Sequence, residues 1–386
     1  MLQNAGAIVF TPRERDWQRN EIVIDNDDAV KSVYYFEKEA SKRWKKCDSL
    51  GFANRYRLKD GENPFRMGTV RQAKATKRKK TSQVSYQPRF KEAGKYAVYV
   101  SYQSLPKSVS DAKYIVYHKG EATEFSVNQR MGGGTWVYLG TFDFDKGCNE
   151  FNRVVCTNKA SRRGVVTTDA VRFGGGMGNI ERGGYTSGLP RCLEGARYYA
   201  QWAGAPYKVY GGRKGENDYA DDINTRSLMT NWLGGGSVYM PAKNGKHVPI
   251  ELSLALHSDA GYNKDGKSTV GALAICTTDY NDGILNSGIS RFTSKDFARA
   301  LRDNLVTDLT AQFGEFGKRY LWDRNYSETR LPEVPSAILE MLSHQNFPDM
   351  RIAQDPLGKF YIARSIYKTI LRFVNSNHGT RYVVQP

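Results

Sequence analysis

The sequence predicts an α/β domain, a sheet flanked by helices, interrupted by an inserted all-β antiparallel sandwich. Three observations carry this. Short runs rich in β-branched and aromatic residues follow one another at near-regular spacing between residues 95 and 173, which is the pattern of a sandwich or barrel. From residue 193 onward, helix-like and apolar strand-like segments alternate, as a helix-covered sheet requires. Ahead of the sandwich, Ala7-Ile-Val-Phe10 is an apolar run of the kind found in a buried strand. The expected division is therefore 1–27 and 177–386 for the α/β domain, with the sandwich at 28–176.

Each element has its own signal. The sandwich strands are expected at Lys95–Gln103, Ala112–His118, Thr123–Asn128, Trp136–Phe144, Arg153–Thr157 and Val165–Phe173. Turn residues separate them, as at Lys119-Gly120 and Lys146-Gly147. Gly174-Gly-Gly176 and Arg182-Gly-Gly184 mark an exit from the sandwich. Leu193–Ala203 and Tyr219–Leu233 suit helices, and Pro249–His257 suits a buried strand. Ser294–Phe313 has helical periodicity with Ser294 as its N-cap. Ser336–Leu342 reads as a further strand and Lys359–Val374 as a closing helix.

Composition narrows the class. With 24 Tyr, 17 Phe and 6 Trp, the chain has ample material for packed cores. No apolar run approaches the roughly 18 residues that a membrane-spanning helix needs. The net charge is +17, concentrated between Lys38 and Lys95 with Lys77-Arg78-Lys79-Lys80 as the densest run. Such a surface attracts polyanions or simply stays solvated. No zinc-finger or RNA-binding motif accompanies it, so nucleic acid is not the expected partner. The five cysteines include no C-x-x-C pair, so neither a metal knuckle nor a disulfide framework is expected.

Chemistry concentrates on two strands. Glu251-Leu-Ser-Leu-Ala-Leu-His257-Ser-Asp259 is an apolar strand that delivers His257 and Asp259 at its C-terminal end, the edge at which open α/β sheets bind ligands. Val334-Pro-Ser-Ala-Ile-Leu-Glu340 places a carboxylate inside an apolar run. An ionised group there needs a compensating partner.

These two strands resemble those of the zinc-dependent N-acetylmuramoyl-L-alanine amidases of the amidase-3 type. Leu254-Ala-Leu-His257-Ser-Asp-Ala260 is similar to that family's Ser-x-His-x-Asn-Ala element, with Asp259 in place of Asn. Pro335-Ser-Ala-Ile-Leu-Glu340 resembles its Pro-x-x-Leu-x-Glu strand, and Asn346-Phe-Pro-Asp349 the element that follows. Thr11-Pro-Arg-Glu-Arg-Asp16 resembles its Thr-Arg-x-x-Asp loop, and Asn224-Thr-Arg226 to Asn231 its Arg-x-x-x-Ala-Asn helix, with Thr230 replacing Ala. The resemblance implies Zn2+ as cofactor, His257 as one metal ligand and Glu340 as catalytic acid–base. Asp259, Arg226 and Asn346 would support substrate or ligands. It also implies a Gly-His-Gly-Gly loop and a Glu ligand ahead of Met1, which this sequence lacks; Glu194 opens a helix but falls at the wrong place in the order. An incomplete ligand set implies little or no activity for this chain alone. Peptidoglycan or another envelope glycan is the implied partner, and a secreted or periplasmic location, with a signal peptide upstream, follows. No oligomeric state is implied.

Glu92-Ala-Gly-Lys-Tyr-Ala-Val-Tyr-Val100, Gly132-Gly-Gly-Thr-Trp-Val-Tyr-Leu-Gly140 and Asp169-Ala-Val-Arg-Phe173 resemble the golvesin C-terminal-like domain. Proteins of this two-part layout in Bacteroides-type bacteria are often labelled xanthan lyase. This supplies an alternative function: a glycan-binding protein whose sandwich holds carbohydrate on Trp136 and Tyr138, with Trp44 and Tyr102 as further platform residues, the α/β part serving as scaffold.

Overall fold

The computed structural model describes residues 1–28, 34–40 and 42–380. Two compact units result. One comprises residues 1–10, 230–245 and 249–386, and the other residues 11–229 and 246–248.

The second unit is built on antiparallel sheets. One sheet orders its strands Ile22–Asp25, Ala170–Phe173, Gly94–Val100 and Val137–Phe144. Another runs Tyr35–Lys38, Gln83–Tyr86, Arg153–Thr157, Ala112–His118 and Glu121–Val127. Alternate residues of both face one core, in which Val98, Val100, Tyr114, Val116, Val154, Val171 and Phe173 are fully buried. That inward alternation is why β-branched and aromatic residues recur at every second position.

The sandwich unit is larger than the sequence suggests. Ile22–Asp25 pairs with Ala170–Phe173, so residues 11–27 of the stretch assigned to the α/β domain belong here, while residues 1–10 stay with the first unit. Its approach loop is fixed by Glu14, whose Oε2 lies 2.6 Å from Arg172 Nη1, both side chains fully buried. Asp16 accepts from the Ala97 amide at 2.6 Å. The loop resembling Thr-Arg-x-x-Asp is thus part of the sandwich. Residues 177–229 join the same unit. The expected strand Ala7–Phe10 does not form; Ile8 is 74 % exposed, with no sheet to receive it.

The first unit holds a four-stranded mixed sheet. Its strands are β1 (Ser253–Asp259), β2 (Ala272–Cys276), β3 (Lys318–Asp323) and β4 (Ser336–Ser343), in the spatial order β1-β4-β2-β3. β1 runs parallel to β4, β4 antiparallel to β2, and β2 parallel to β3. Helices α1 (Phe292–Phe313), α2 (Ser327–Arg330), α3 (Phe347–Gln354) and α4 (Pro356–Asn377) accompany it. On α1 the buried residues Ser294, Phe297, Ala298, Leu301, Leu305 and Leu309 form one stripe, as a helix lying on a sheet requires. They pack with Ala272, Ala274, Ala337 and Leu339 of the sheet and Ile362, Ile366 and Ile370 of α4. Ser294 does not cap α1. The helix begins two residues earlier, and the buried Ser294 hydroxyl accepts from the Ser336 amide at 3.1 Å. The cap of α4 is Asp355, whose side chain accepts from Leu357 N at 2.8 Å ahead of Pro356.

Candidate active site

The parallel pairing of β1 with β4 puts His257 directly opposite Glu340, near the C-terminal ends of both strands. His257 Nδ1 stands 3.8 Å from Glu340 Oε1. On its other side, His257 Nε2 lies 3.0 Å from Glu328 Oε2. The imidazole therefore sits between two carboxylates, each largely buried, with side-chain exposures of 12 % for Glu328 and 13 % for Glu340.

Burial is the largest influence on Glu340 and pushes its carboxyl above the usual carboxylate range; nearby Asp259 and Glu328 push it the same way, against His257 and Arg319. One of its oxygens, Oε2, accepts no hydrogen bond from any described residue. A carboxyl so placed exchanges a proton nearer neutrality than a solvated one. Two residues beyond His257, Asp259 pairs with Arg319 of β3 at 2.7 Å. A register shift between His257 and Asp259 brings Asp259 opposite Ser343.

Glu328 and Arg319 were not singled out in the sequence. Glu328 lies on α2, four residues long, which has no periodic signature, and only tertiary packing turns it toward β1. Arg319 stands on the outermost strand of the sheet. No spacing rule connects it with Asp259.

The other residues singled out lie elsewhere. Asn346 is buried; its amide nitrogen donates to Ser268 O at 3.0 Å and to Asp349 Oδ2 at 2.6 Å, while its oxygen accepts from Asn263 N at 3.2 Å. Asp349 accepts from the amides of Val270, Gly271 and Ser343. Asn346 and Asp349 therefore knit loops around the strand ends. Arg226 belongs to the sandwich unit, where it pairs with Asp222 at 3.1 Å. Glu194 is buried there and accepts from Ser187 Oγ at 2.7 Å.

Trp136 is a core residue, 5 % exposed. Its ring meets Phe52, Phe65 and Trp202 at centroid distances of 4.7, 5.2 and 5.9 Å. Trp44 and Tyr102 are equally buried. Tyr138 packs on Tyr99 and has the Arg15 guanidinium 4.2 Å above its ring. The aromatic platform expected for sugar stacking is therefore not formed by these residues, because a sandwich core claims its large rings first.

A metal at His257 would need further donors beside the imidazole. Among the described residues no three His, Cys, Asp or Glu side chains are placed to hold one ion. A catalytic zinc site uses about three protein ligands. The residues present do not fit zinc by themselves.

Comparison with known proteins finds similarity for part of the chain. The model of the Golvesin C-terminal domain matches residues 59–175. That stretch is therefore similar to the golvesin C-terminal domain. A xanthan lyase of Bacillus sp. (strain GL1) is 34 % identical over 97 residues, covering 25 % of this chain and 10 % of that protein. The chain thus spans about a tenth of the curated relative it matches. Among solved structures, Paenibacillus xanthan lyase is similar at a TM-score of 0.31 and 21 % identity, over 40 % of this chain and 13 % of that one. The N-acetylmuramyl-L-alanine amidase Ami1 of Mycobacterium smegmatis is similar at a TM-score of 0.29 and 19 % identity, over 49 % of this chain and 86 % of that one. All five cysteines are free thiols, and no described helix is long and apolar enough to cross a membrane.

Proposed function

We propose that the α/β unit carries an amidase-type site that engages the junction between N-acetylmuramic acid and L-alanine in peptidoglycan. The observation that carries this is the 3.8 Å approach of His257 Nδ1 to Glu340 Oε1 at the C-terminal ends of adjacent parallel strands. In this reading Glu340, poised by burial, takes a proton from water attacking the amide carbonyl and returns it to the leaving amine. Glu328 fixes the His257 ring, and the Asp259–Arg319 pair holds the strand end beside it. Zinc would polarise the carbonyl and acidify the water where a full ligand set exists; His257 alone with carboxylate neighbours does not make one. The chain by itself is accordingly a poor hydrolase. Work on the wall places the protein in the cell envelope or outside the cell.

The alternative is a glycan-binding protein, favoured by the xanthan lyase similarity of 97 residues. Co-sedimentation separates the two. The chain is expected to pellet with purified peptidoglycan, with retention reduced several-fold in His257→Ala and Glu340→Ala, and not with xanthan. Retention unchanged by both substitutions, or preference for xanthan, would overturn the amidase proposal.

A further inference from the structure

The sandwich unit buries neighbouring carboxylates, Asp25 and Asp169 among them. Asp25 and Asp169 are 1 % and 0 % exposed, at the ends of paired strands in which Asp25 stands opposite Ala170. Asn26, 3 % exposed, follows Asp25, and antiparallel register sets it across from Asp169. The Asn26 amide nitrogen donates to Thr69 Oγ1 at 2.9 Å, but its Oδ1 has no partner. Asp169 Oδ2 accepts from the Phe52 amide at 2.8 Å, and its Oδ1 likewise has no partner. Asp27, held by Thr69 through a 2.6 Å hydroxyl bond, and Asp28, which accepts from the Asp25 amide at 2.9 Å, add further negative charge.

No described Lys, Arg or His is among the leading influences on Asp25 or Asp169. Burial and neighbouring carboxylates push Asp25 up to about 8 and Asp169 well up. Buried acceptors left bare are rare, because each forfeits its hydration without replacement. A proton on Asp169 lets it donate to one neighbouring acceptor but leaves the negative charge of the other carboxylates uncompensated. A cation serves both orphaned oxygens together.

We infer that Asp25, Asn26 and Asp169 form a binding site for a hard divalent cation of the Ca2+ type, which ties the first strand of the sandwich to its last. Two carboxylates supply the charge, and neutral oxygens from amides and water complete the shell, as Ca2+ accepts. Three acidic ligands are not required, in keeping with the absence of any such trio among the described residues. The site is independent of the amidase proposal and lies within the sandwich unit.

The test is calorimetric unfolding of the full chain, stripped with EDTA and returned to millimolar CaCl2 or MgCl2. Ca2+ is expected to raise the Tm of the sandwich transition by several degrees, Mg2+ by less, with the Ca2+ effect lost in Asp169→Asn. Should that variant fail to fold, Ca2+-induced shifts of the wild-type Asn26 and Asp169 amide resonances decide in its place. A Tm indifferent to Ca2+, or resonances that do not move, overturns the site. A further rise in Tm on acidification would then assign the pair a shared proton.

Discussion

Glu328 Oε2 holds His257 Nε2 at 3.0 Å while Glu340 Oε1 stands 3.8 Å from Nδ1. The ring is thereby engaged from both sides, and its orientation depends on a carboxylate from a short helix that precedes β4. Replacing Glu328 by Ala should lower stability by about 1.5–3 kcal/mol, the range for a hydrogen bond to a charged group. Urea unfolding of the variant measures this. An unchanged midpoint would mean that Glu328 does not hold the ring.

The Glu14–Arg172 pair fixes the loop of residues 11–27 to the sandwich, with both side chains fully buried at 2.6 Å. Removing one partner of such a pair typically costs about 3–5 kcal/mol, because the other charge stays buried. Glu14→Ala should therefore strongly destabilise the sandwich unit in denaturant. A loss below about 0.5 kcal/mol, the usual range for surface loops, would contradict the assignment of this loop to the sandwich.

Trp136→Ala should cost about 3–5 kcal/mol, as truncation of a buried aromatic does, and leave carbohydrate retention unaltered. Equilibrium unfolding and affinity electrophoresis on glycan gels read the two effects separately. Unaltered stability with lost retention would restore the stacking platform.

Asp25 gives the protein a pH signature. Its folded-state value of about 8 lies above the usual 3.8, so its favourable contribution is complete below about pH 4 and is lost as pH rises through 8. In EDTA, urea midpoints should fall between pH 5 and pH 9, and Asp25→Asn should flatten that decline. A midpoint that rises with pH in wild type alone would reverse the sign and refute the assignment.

How much of this was legible in the sequence depends on range. The strands carrying His257 and Glu340 could be read from their apolar runs, and the residue types at their ends from resemblance. Their adjacency is a property of β1–β4 pairing across 83 positions, which periodicity does not encode. The strand Ile22–Asp25 was missed because its partner lies some 150 residues away and its four residues carry no turn signal. Trp136, a platform residue only in the alternative reading, is core because Phe52, Phe65 and Trp202 close over it, and those contacts are long-range too. Glu328 follows the same rule, having only a four-residue helix to announce it.

Zinc content is predicted to be well below one equivalent after dialysis of the purified chain, since the described donors do not assemble three ligands. Emission spectrometry measures it, and one tightly held equivalent would refute the expectation.

The measurement that reaches furthest is the NMR signal of the His257 ring during titration with N-acetylmuramoyl-L-alanyl-D-isoglutamine. Saturable displacement of that signal, reduced several-fold in affinity by Glu340→Gln, is predicted, because the muramoyl amide would lie against both imidazole and carboxyl. A His257 signal that stays in place while the ligand binds elsewhere, or does not bind, would contradict the assignment of this pair to amide hydrolysis.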